Sequence, residues 1–274
     1  MNESLTVVTV IHDSAAELAA LLRSIADNVH RAEVVVVDTG STDGGVQAAR
    51  AAGAQVIELD GNPGYGAANN AGIEQANCEI VALLNPDVVL LDGGLMRLAH
   101  AARERDALHA PRLVGADGRP QDSAHPLPGT WRGVARAFVP GPLRRTGATA
   151  WAIGAALVAR TTTLRGLGPF DPAAFLFYED LDLCLRARRA GVPTILHSDV
   201  ALRHAGAHST APAFGGEPVD VLVARRRHVV EGNLGPRAGA RDDLAQLLEH
   251  GVRGFRARDR AFVREIVRAR RAAG

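Results

Sequence analysis

Acidic and imidazole side chains that could do chemistry gather at three places in this chain of 274 residues. The most unusual is FLFYEDLDLCL (175–185), where Phe175, Phe177 and Tyr178 lead into Glu179, Asp180 and Asp182. Carboxylates in the first turn of a helix are favoured by the helix dipole, and that accounts for Asp182. A carboxylate beside apolar rings has its charged form disfavoured, which prepares it to act as a general base near neutral pH; Glu179 and Asp180 are the two candidates. The second place is Asn85-Pro86-Asp87. A hard cation such as Mg2+ or Mn2+ takes one or two protein ligands and fills its remaining positions with substrate oxygens, a role open to Asp87 with a distant histidine. The competing reading is that Asp87 merely follows a proline turn. The third place is His204, which ends a short strand and precedes the small, Gly-rich stretch AGAHSTAPAFGGEP (205–218).

The surrounding pattern predicts the scaffold for these groups. Residues 5–11 and 33–37 are β-branched, apolar runs of strand length. Between them Ser14 and Glu17 form a capping box, followed by Leu18, Leu21, Leu22 and Ile25 at helical spacing. A cap at Ser41, Thr42 or Asp43 opens a second helix through Ala52, and strands at 54–59 and 79–84 alternate with helices at 66–76 and 93–105. This alternation predicts a mostly parallel sheet flanked by helices. Ligands of such sheets bind beyond the carboxyl ends of the strands, which here are Ile11-His12-Asp13, Asp38, Asn62 and Asn85-Pro86-Asp87. These groups suit a ligand with hydroxyls, amide edges and phosphates, whereas Asp43 in STDGG reads as a cap. From 111 to 149 Gly, Pro and Arg punctuation predicts loops, long enough to be functional. A helix at 180–190 and a strand at 194–197 follow, then helices at 219–231 and 242–271, with a boundary near Gly216.

Composition excludes several activities. All 31 basic residues are arginine, and 30 acidic residues leave a net charge of +1, so no global field grips nucleic acid. Without lysine there is no Schiff base and no P-loop. The first β-α turn, VIHDSAAE, has no glycine, so the dinucleotide fingerprint is absent although Asp38 mimics its ribose-binding acid. Phosphate charge is then expected to be met by a metal ion. Cys78 and Cys184 form no CxxC, which predicts neither a disulfide framework nor a thiolate zinc site and fits a reducing cytoplasm. The N-terminus lacks a signal-peptide pattern, and no run approaches the roughly twenty apolar residues that span a bilayer.

Six segments in order, VVVVDTGSTDGG, NPGYGAANNAG, LLNPDVVL, WAIGAALVAR, GPFDPAAFLFYEDLDLCLRARRAG and HAGAHST, resemble the family 2 glycosyltransferases of the GT-A fold. The similarity runs from about Val7 to Thr210 and is greatest to a bacterial branch containing rhamnosyltransferases. It implies a Rossmann-like α/β domain over 1–215 with a C-terminal helical extension over 216–274. It also implies transfer of a sugar, rhamnose in this branch, from a UDP- or dTDP-sugar to an acceptor hydroxyl in cell-wall or polysaccharide synthesis, with inversion. By the same resemblance Thr9, Ile11 and Asp38 line the nucleoside, with Asn62 and Asn69 beside it. Asn85-Pro86-Asp87 stands at the family's D-x-D motif, so Asp87 contacts the nucleotide and, with His204, holds Mn2+ or Mg2+. Asp180, in the family's ED pair beside Glu179, is the implied catalytic base.

Three departures are visible: IHD replaces an aromatic followed by Asn, Asn85 replaces the first Asp of D-x-D, and Asn69 replaces an Arg that many relatives carry. The last shifts neutralisation of the diphosphate toward the metal. The alternatives are a nucleotidyltransferase, which wants a basic Gly-rich loop that residues 11–17 lack, and a catalytically silent sugar-nucleotide binding module, which would not need Asp87, Asp180 and His204. The expected partners are the nucleotide sugar and a glycan or lipid-linked acceptor, with no nucleic acid. Finally, Arg225, Arg226, Arg227 and the run 253–271 concentrate charge, interleaved with Phe255, Phe262, Val263, Ile266 and Val267. That pattern predicts either a helix packed on the protein with a solvated basic face or peripheral docking on the inner face of the plasma membrane.

Overall fold

A computed structural model describes residues 4–136, 146–168, 170–171, 176–206, 218–252 and 256–272. Its N-terminal part follows the alternating pattern: β1 (Leu5–Ile11), α1 (Ala15–Asn28), β2 (Ala32–Asp38), α2 (Gly45–Ala51), β3 (Gln55–Glu58), α3 (Tyr65–Glu74) and β4 (Ile80–Leu84). Then come β5 (Val88–Leu90), α4 (Gly94–Glu104), β6 (Leu108–Val114), β7 (Ala124–His125), α5 (Trp131–Arg136), β8 (Gly147–Thr149), β9 (Trp151–Ala152) and β10 (Ala156–Arg160). The remaining elements are α6 (Thr161–Leu167), α7 (Glu179–Arg189), β11 (Thr194–His204), α8 (Val219–Leu234), α9 (Pro236–Val252) and α10 (Ala257–Ala272).

The main sheet runs β3-β2-β1-β4-β10-β6-β11-β5, with β8 also paired to β11. Its first four strands are parallel, as expected. Beyond β4 the sheet is mixed: β10 lies antiparallel to β4 and β6, and β11 is parallel to β6 but antiparallel to β5 and β8. The expectation of a mostly parallel sheet therefore holds for one half only. Parallel neighbours need a crossover of a dozen or more residues, and in the first half α1, α2 and α3 each stand between one strand and the next.

Every residue of β1 is buried, which explains its unbroken aliphatic run. On one face Leu5, Val7, Ile80, Ala82 and Leu84 pack with Leu21 and Ile25 of α1 and Leu95 and Leu98 of α4. A second cluster holds Ile11, Leu18, Val36, Val46 and Ala49. Each such side chain contributes on the order of 1.5–3 kcal/mol by leaving water. A Cβ on Gly72 would lie 2.3 Å from Val8 Cγ1, so only glycine lets α3 close on β1 there.

Three local expectations need correction. Ser14 Oγ donates to the His12 carbonyl at 2.9 Å, so the predicted capping box does not form. Asp43 caps instead, accepting from Ala15 N of α1 at 2.7 Å and from Gly45 N of α2 at 3.0 Å. The stretch after 111, read as loop, begins inside a strand, because β6 runs through Pro111. Proline removes a ladder donor, but Pro111 faces His197 where the pairing with β11 slips before Ala201, and such irregularities tolerate it. The same slip hid the full length of β11. Lastly, 242–271 is not one helix but the end of α9 and all of α10.

The chain divides into two compact units, one of residues 1–124 with 142–209 and one of 125–141 with 210–274. The first contains the main sheet. The second holds α5 and α8 to α10, so it reaches back to 125–141 as well as forward from 210. Within it Val223, Phe262 and Ile266 form a small apolar core with Leu222 and Leu247. Gly129, with φ +66°, packs against Ala238 so closely that a Cβ would lie 2.5 Å from its carbonyl oxygen.

Candidate active site

Of the sequence-predicted site residues, Ile11, Asp38, Asn62, Asp87 and His204 lie at or beyond strand ends, whereas Thr9 lies inside β1, Asn69 inside α3, and Glu179 and Asp180 in the first turn of α7. Thr9 and Ile11 are fully buried within β1, and Ile11 packs in the cluster with Leu18 and Val36. The side chain of Ile11 is therefore a core group, and only its carbonyl, which accepts from Thr39 N and Thr39 Oγ1, reaches the turn. Thr9 Oγ1 is buried with no hydrogen-bond partner among the described residues. Asp38, at the end of β2, is 4% exposed and accepts from the amides of Gly40 and Ser41 at 3.1 Å each. That turn fixes the carboxylate at the mouth of the parallel half. Asn62 is exposed and accepts from Gly64 N at 3.0 Å, opening α3. Asn69 is buried, and its amide donates to the Tyr65 carbonyl at 2.9 Å.

Asn85-Pro86-Asp87 joins β4 to β5. Asp87 Oδ2 accepts from Gly206 N at 2.8 Å, and its Oδ1 lies 3.5 Å from His204 Nε2. Both side chains are nearly buried, at 11% and 12% exposure. His204 Nδ1 lies 2.9 Å from Gln121 Oε1, and the Gln121 amide donates to the His204 carbonyl at 2.8 Å. Glutamine oxygen only accepts, so Nδ1 carries the proton and Nε2 presents its lone pair toward Asp87. Burial pushes the His204 pKa down despite the pull of Asp87, which favours the neutral ring. A neutral imidazole whose second nitrogen is oriented by a hydrogen bond, facing a carboxylate, is a donor set suited to a divalent cation. Among the described residues no group of three or more His, Cys, Asp or Glu could hold a metal ion.

The third group opens α7. Phe177 and Tyr178 both have positive φ, +74° and +62°. Two successive bulky residues in the left-handed region cost on the order of 1–3 kcal/mol each, a strain that the surroundings must hold in place. The turn they make buries Glu179 at 8% exposure and leaves Asp180 partly exposed. Asp180 Oδ2 accepts from Gly154 N at 2.8 Å and Oδ1 from Leu181 N at 2.6 Å. A Cβ on Gly154 would stand 3.2 Å from Asp180 Cβ, so glycine gives this loop its close approach.

Tyr65 ties the groups together. Its hydroxyl donates to Asn85 Oδ1 at 2.7 Å and lies 3.2 Å from the Gly154 carbonyl, while its ring meets Phe170 edge-on at 6.3 Å. Burial raises its pKa above the usual tyrosine range, and the negative charges of Glu179, Asp180 and Asp87 add to the effect. Tyr65 thus links the Asn85-Pro86-Asp87 turn to Gly154, whose amide binds Asp180, and His204 lies beside Asp87. Asn70 holds the neighbouring segment, donating to the Phe170 carbonyl at 2.9 Å and accepting from its amide at 3.1 Å.

The pattern of the family described as Glycosyl transferase family 2 matches residues 6–148, just over half of the chain. A curated relative, the N-acetylglucosaminyl-diphospho-decaprenol L-rhamnosyltransferase of Mycobacterium tuberculosis, is 30% identical over 259 residues, covering 83% of each chain. This chain belongs to glycosyltransferase family 2. Among solved structures, Staphylococcus aureus TarS 1–349 in complex with UDP-GlcNAc aligns with a TM-score of 0.61 at 18% identity, over 91% of this chain and 72% of that one. The longer TarS chain is spanned to 44%. The mannosyltransferase PcManGT of Pyrobaculum calidifontis, in complex with GDP-Man and Mn2+, aligns with a TM-score of 0.60 at 19% identity, over 99% and 76%. The glycosyltransferase therefore has the fold of known sugar-nucleotide enzymes.

Sequence reasoning missed Tyr65, Gln121 and Gly154 in this glycosyltransferase. Tyr65 and Gly154 sit inside quoted motifs, NPGYGAANNAG and WAIGAALVAR, where a lone aromatic and a glycine before a strand were the available signals. Gln121 lies in a stretch read as loop and carried no signal.

Proposed function

We propose that this glycosyltransferase moves a 6-deoxyhexose from a nucleotide diphosphate donor to an acceptor hydroxyl, with inversion, using Asp180 as base. The observation that carries this reading is the chain of contacts by which the Tyr65 hydroxyl meets Asn85, two positions before Asp87, and the carbonyl of Gly154, whose amide binds Asp180. Asp38, and the turn it pins, would receive the nucleoside, with Asn62 at the rim. Asn69 is engaged with its own helix, which supports leaving diphosphate charge to a cation. Asp87 and His204 Nε2 would hold that cation, Mn2+ or Mg2+; when bound, it supplies positive charge that stabilises the leaving diphosphate. Gln121 keeps His204 in the required tautomer.

Asp180 accepts from the Gly154 and Leu181 amides, and these backbone donors hold the orientation of its carboxylate. As the acceptor oxygen attacks the anomeric carbon, its proton passes to Asp180. The bond to the diphosphate breaks on the opposite face, so a single displacement inverts the centre and no carboxylate nucleophile is needed. Glu179, more deeply buried, supports the helix start. By analogy with the named activity of the mycobacterial relative, the donor is an L-rhamnosyl nucleotide and the acceptor a polyprenyl-diphosphate-linked sugar in cell-wall synthesis. Such an acceptor places the enzyme peripherally at the cytoplasmic face of the membrane; among the described residues no helix is long and apolar enough to cross it.

The test is Asp180→Asn assayed with dTDP-rhamnose and Mn2+. Donor binding, read by thermal shift, is expected to persist while transfer falls about 10²–10⁴-fold. Near-normal turnover would move the base role to Glu179, and undiminished turnover after chelation with EDTA would remove the cation from the reading.

A further inference from the structure

Net charge is not shared evenly between the two units. The sheet unit carries 16 arginines against 22 carboxylates, and the helical unit 15 against 8, so a chain of net charge +1 is built from parts of −6 and +7. Within the helical unit the charge divides again. Arg226 forms a two-bonded pair with Asp242 at 2.7 and 3.0 Å, and Arg227 pairs with Glu231 and Asp243. These arginines, prominent in the sequence, are spent inside the unit. Phe262 and Ile266 are also spent, buried at 4% and 0% exposure in its core, and Val263 and Val267 are half-buried, so the large apolar side chains of α10 are not free to insert into a bilayer. Phe255 lies outside the described residues.

What remains outward on α10 is a ridge. Arg260, Arg264, Arg268 and Arg271 are all exposed and recur at spacings of four, four and three. At about 100° per residue they fall within roughly 80° of one another, opposite Asp259, Phe262 and Ile266, and extend about 16 Å along the helix. Glu265 borders them, 3.7 Å from Arg268. Four exposed arginines along one helix face, without an aromatic among them, suit an array of phosphates. A nucleic-acid strand is instead gripped in a groove with stacking rings.

We propose that this ridge docks the enzyme on anionic phospholipid headgroups by charge alone. The inference rests on the lipid-linked acceptor of the proposed function and names the surface that would bring the enzyme to it. Because nothing apolar inserts, binding is reversible and falls steeply with salt. The arginines are compact in number, and each near the surface is worth about fivefold in affinity.

The test is sedimentation of the full chain with phosphatidylcholine vesicles, with and without 30% phosphatidylglycerol, at low and high salt. Binding is expected only to the anionic vesicles at low salt, and Arg264→Gln/Arg268→Gln/Arg271→Gln should weaken it about 100-fold. The same variant should keep wild-type hydrolysis of the donor in the absence of vesicles, a readout that also reports separately on the glycosyltransfer reading. Equal binding to neutral vesicles, retention of binding by the triple variant, or binding of tRNA in preference to anionic vesicles would each overturn the proposal. Loss of donor hydrolysis by a folded triple variant would do the same, by assigning the arginines to catalysis.

Discussion

The sheet unit and the helical unit solve the burial problem differently. Around β1 and β4 the buried side chains are mostly aliphatic, from Leu5 and Val7 to Leu83 and Leu84, with the hydroxyls of Thr6 and Thr9 among them. The helical unit has a core centred on Val223, Phe262 and Ile266, and beside it buries Asp242, Asp243, Gln246 and Asp259. His250 pairs with Asp259 at 2.8 Å while its ring stacks on Phe262 at 4.3 Å. An aliphatic core is held by area removed from water and is indifferent to partner loss. A buried ion pair adds little over an apolar pair of the same volume, yet breaking it is costly because one charge is left behind. A strong pattern of apolar residues therefore marks one unit in the sequence, and paired charges mark the other.

The largest effect should come from breaking a pair in the helical unit. Asp242→Ala leaves the half-buried Arg226 without its two-bonded partner and should destabilise that unit by about 3 kcal/mol, read as lost amide protection in peptides of α8 to α10. The double change Arg226→Met/Asp242→Leu should restore most of the protection. If the double variant were as damaged as the single, the contrast between the units would fail.

Of similar size, Leu83→Ala removes a fully buried side chain of β4 and should cost about 2–5 kcal/mol in the sheet unit. No second substitution at a single partner should rescue it, because its contacts are dispersed among many neighbours. Urea unfolding of the variant measures the loss.

Smaller again is Tyr65→Phe, which keeps the ring against Phe170 and deletes the hydroxyl between Asn85 and Gly154. Loss of the hydroxyl's one donated proton, a hydrogen bond of about 1 kcal/mol, predicts a fall in kcat of about 5-fold, with donor KM little changed. A change in KM alone would assign Tyr65 to donor binding.

The smallest effect is a difference in pH response. His109 Nδ1 and His197 Nε2 lie 2.8 Å apart, and burial lowers both pKa values. The unfolded chain then binds more protons, so the sheet unit loses stability as pH falls through and below the ordinary histidine value of about 6.5. Asp243 behaves oppositely: burial raises its pKa against the pull of Arg227. Its folded form binds the extra proton, so the helical unit is relieved as pH falls through the raised value toward 3.8. Amide exchange across a pH series should show the two units drifting in opposite directions, and His109→Leu should flatten the drift of the sheet unit.

The sequence by itself determined the elements whose cause is local. Aliphatic runs at 5–11 and 33–37 can only be buried strands, and helical spacing after Ser14 can only be a helix with one face covered. It also determined which residue types were available, so that Asp87, Asp180 and His204 stood out before any contact was known. It did not determine who meets whom. His204 finds Gln121 at a separation of 83 positions, Asp87 finds the Gly206 amide at 119, and Asp43 rather than Ser14 caps α1. Strand β6 was hidden because Pro111 argues against a strand until its place at the slipped pairing with β11 is known. Local periodicity records which face of an element is covered. Contacts between distant residues depend on strand order and register, which are fixed only when the whole sheet closes its core.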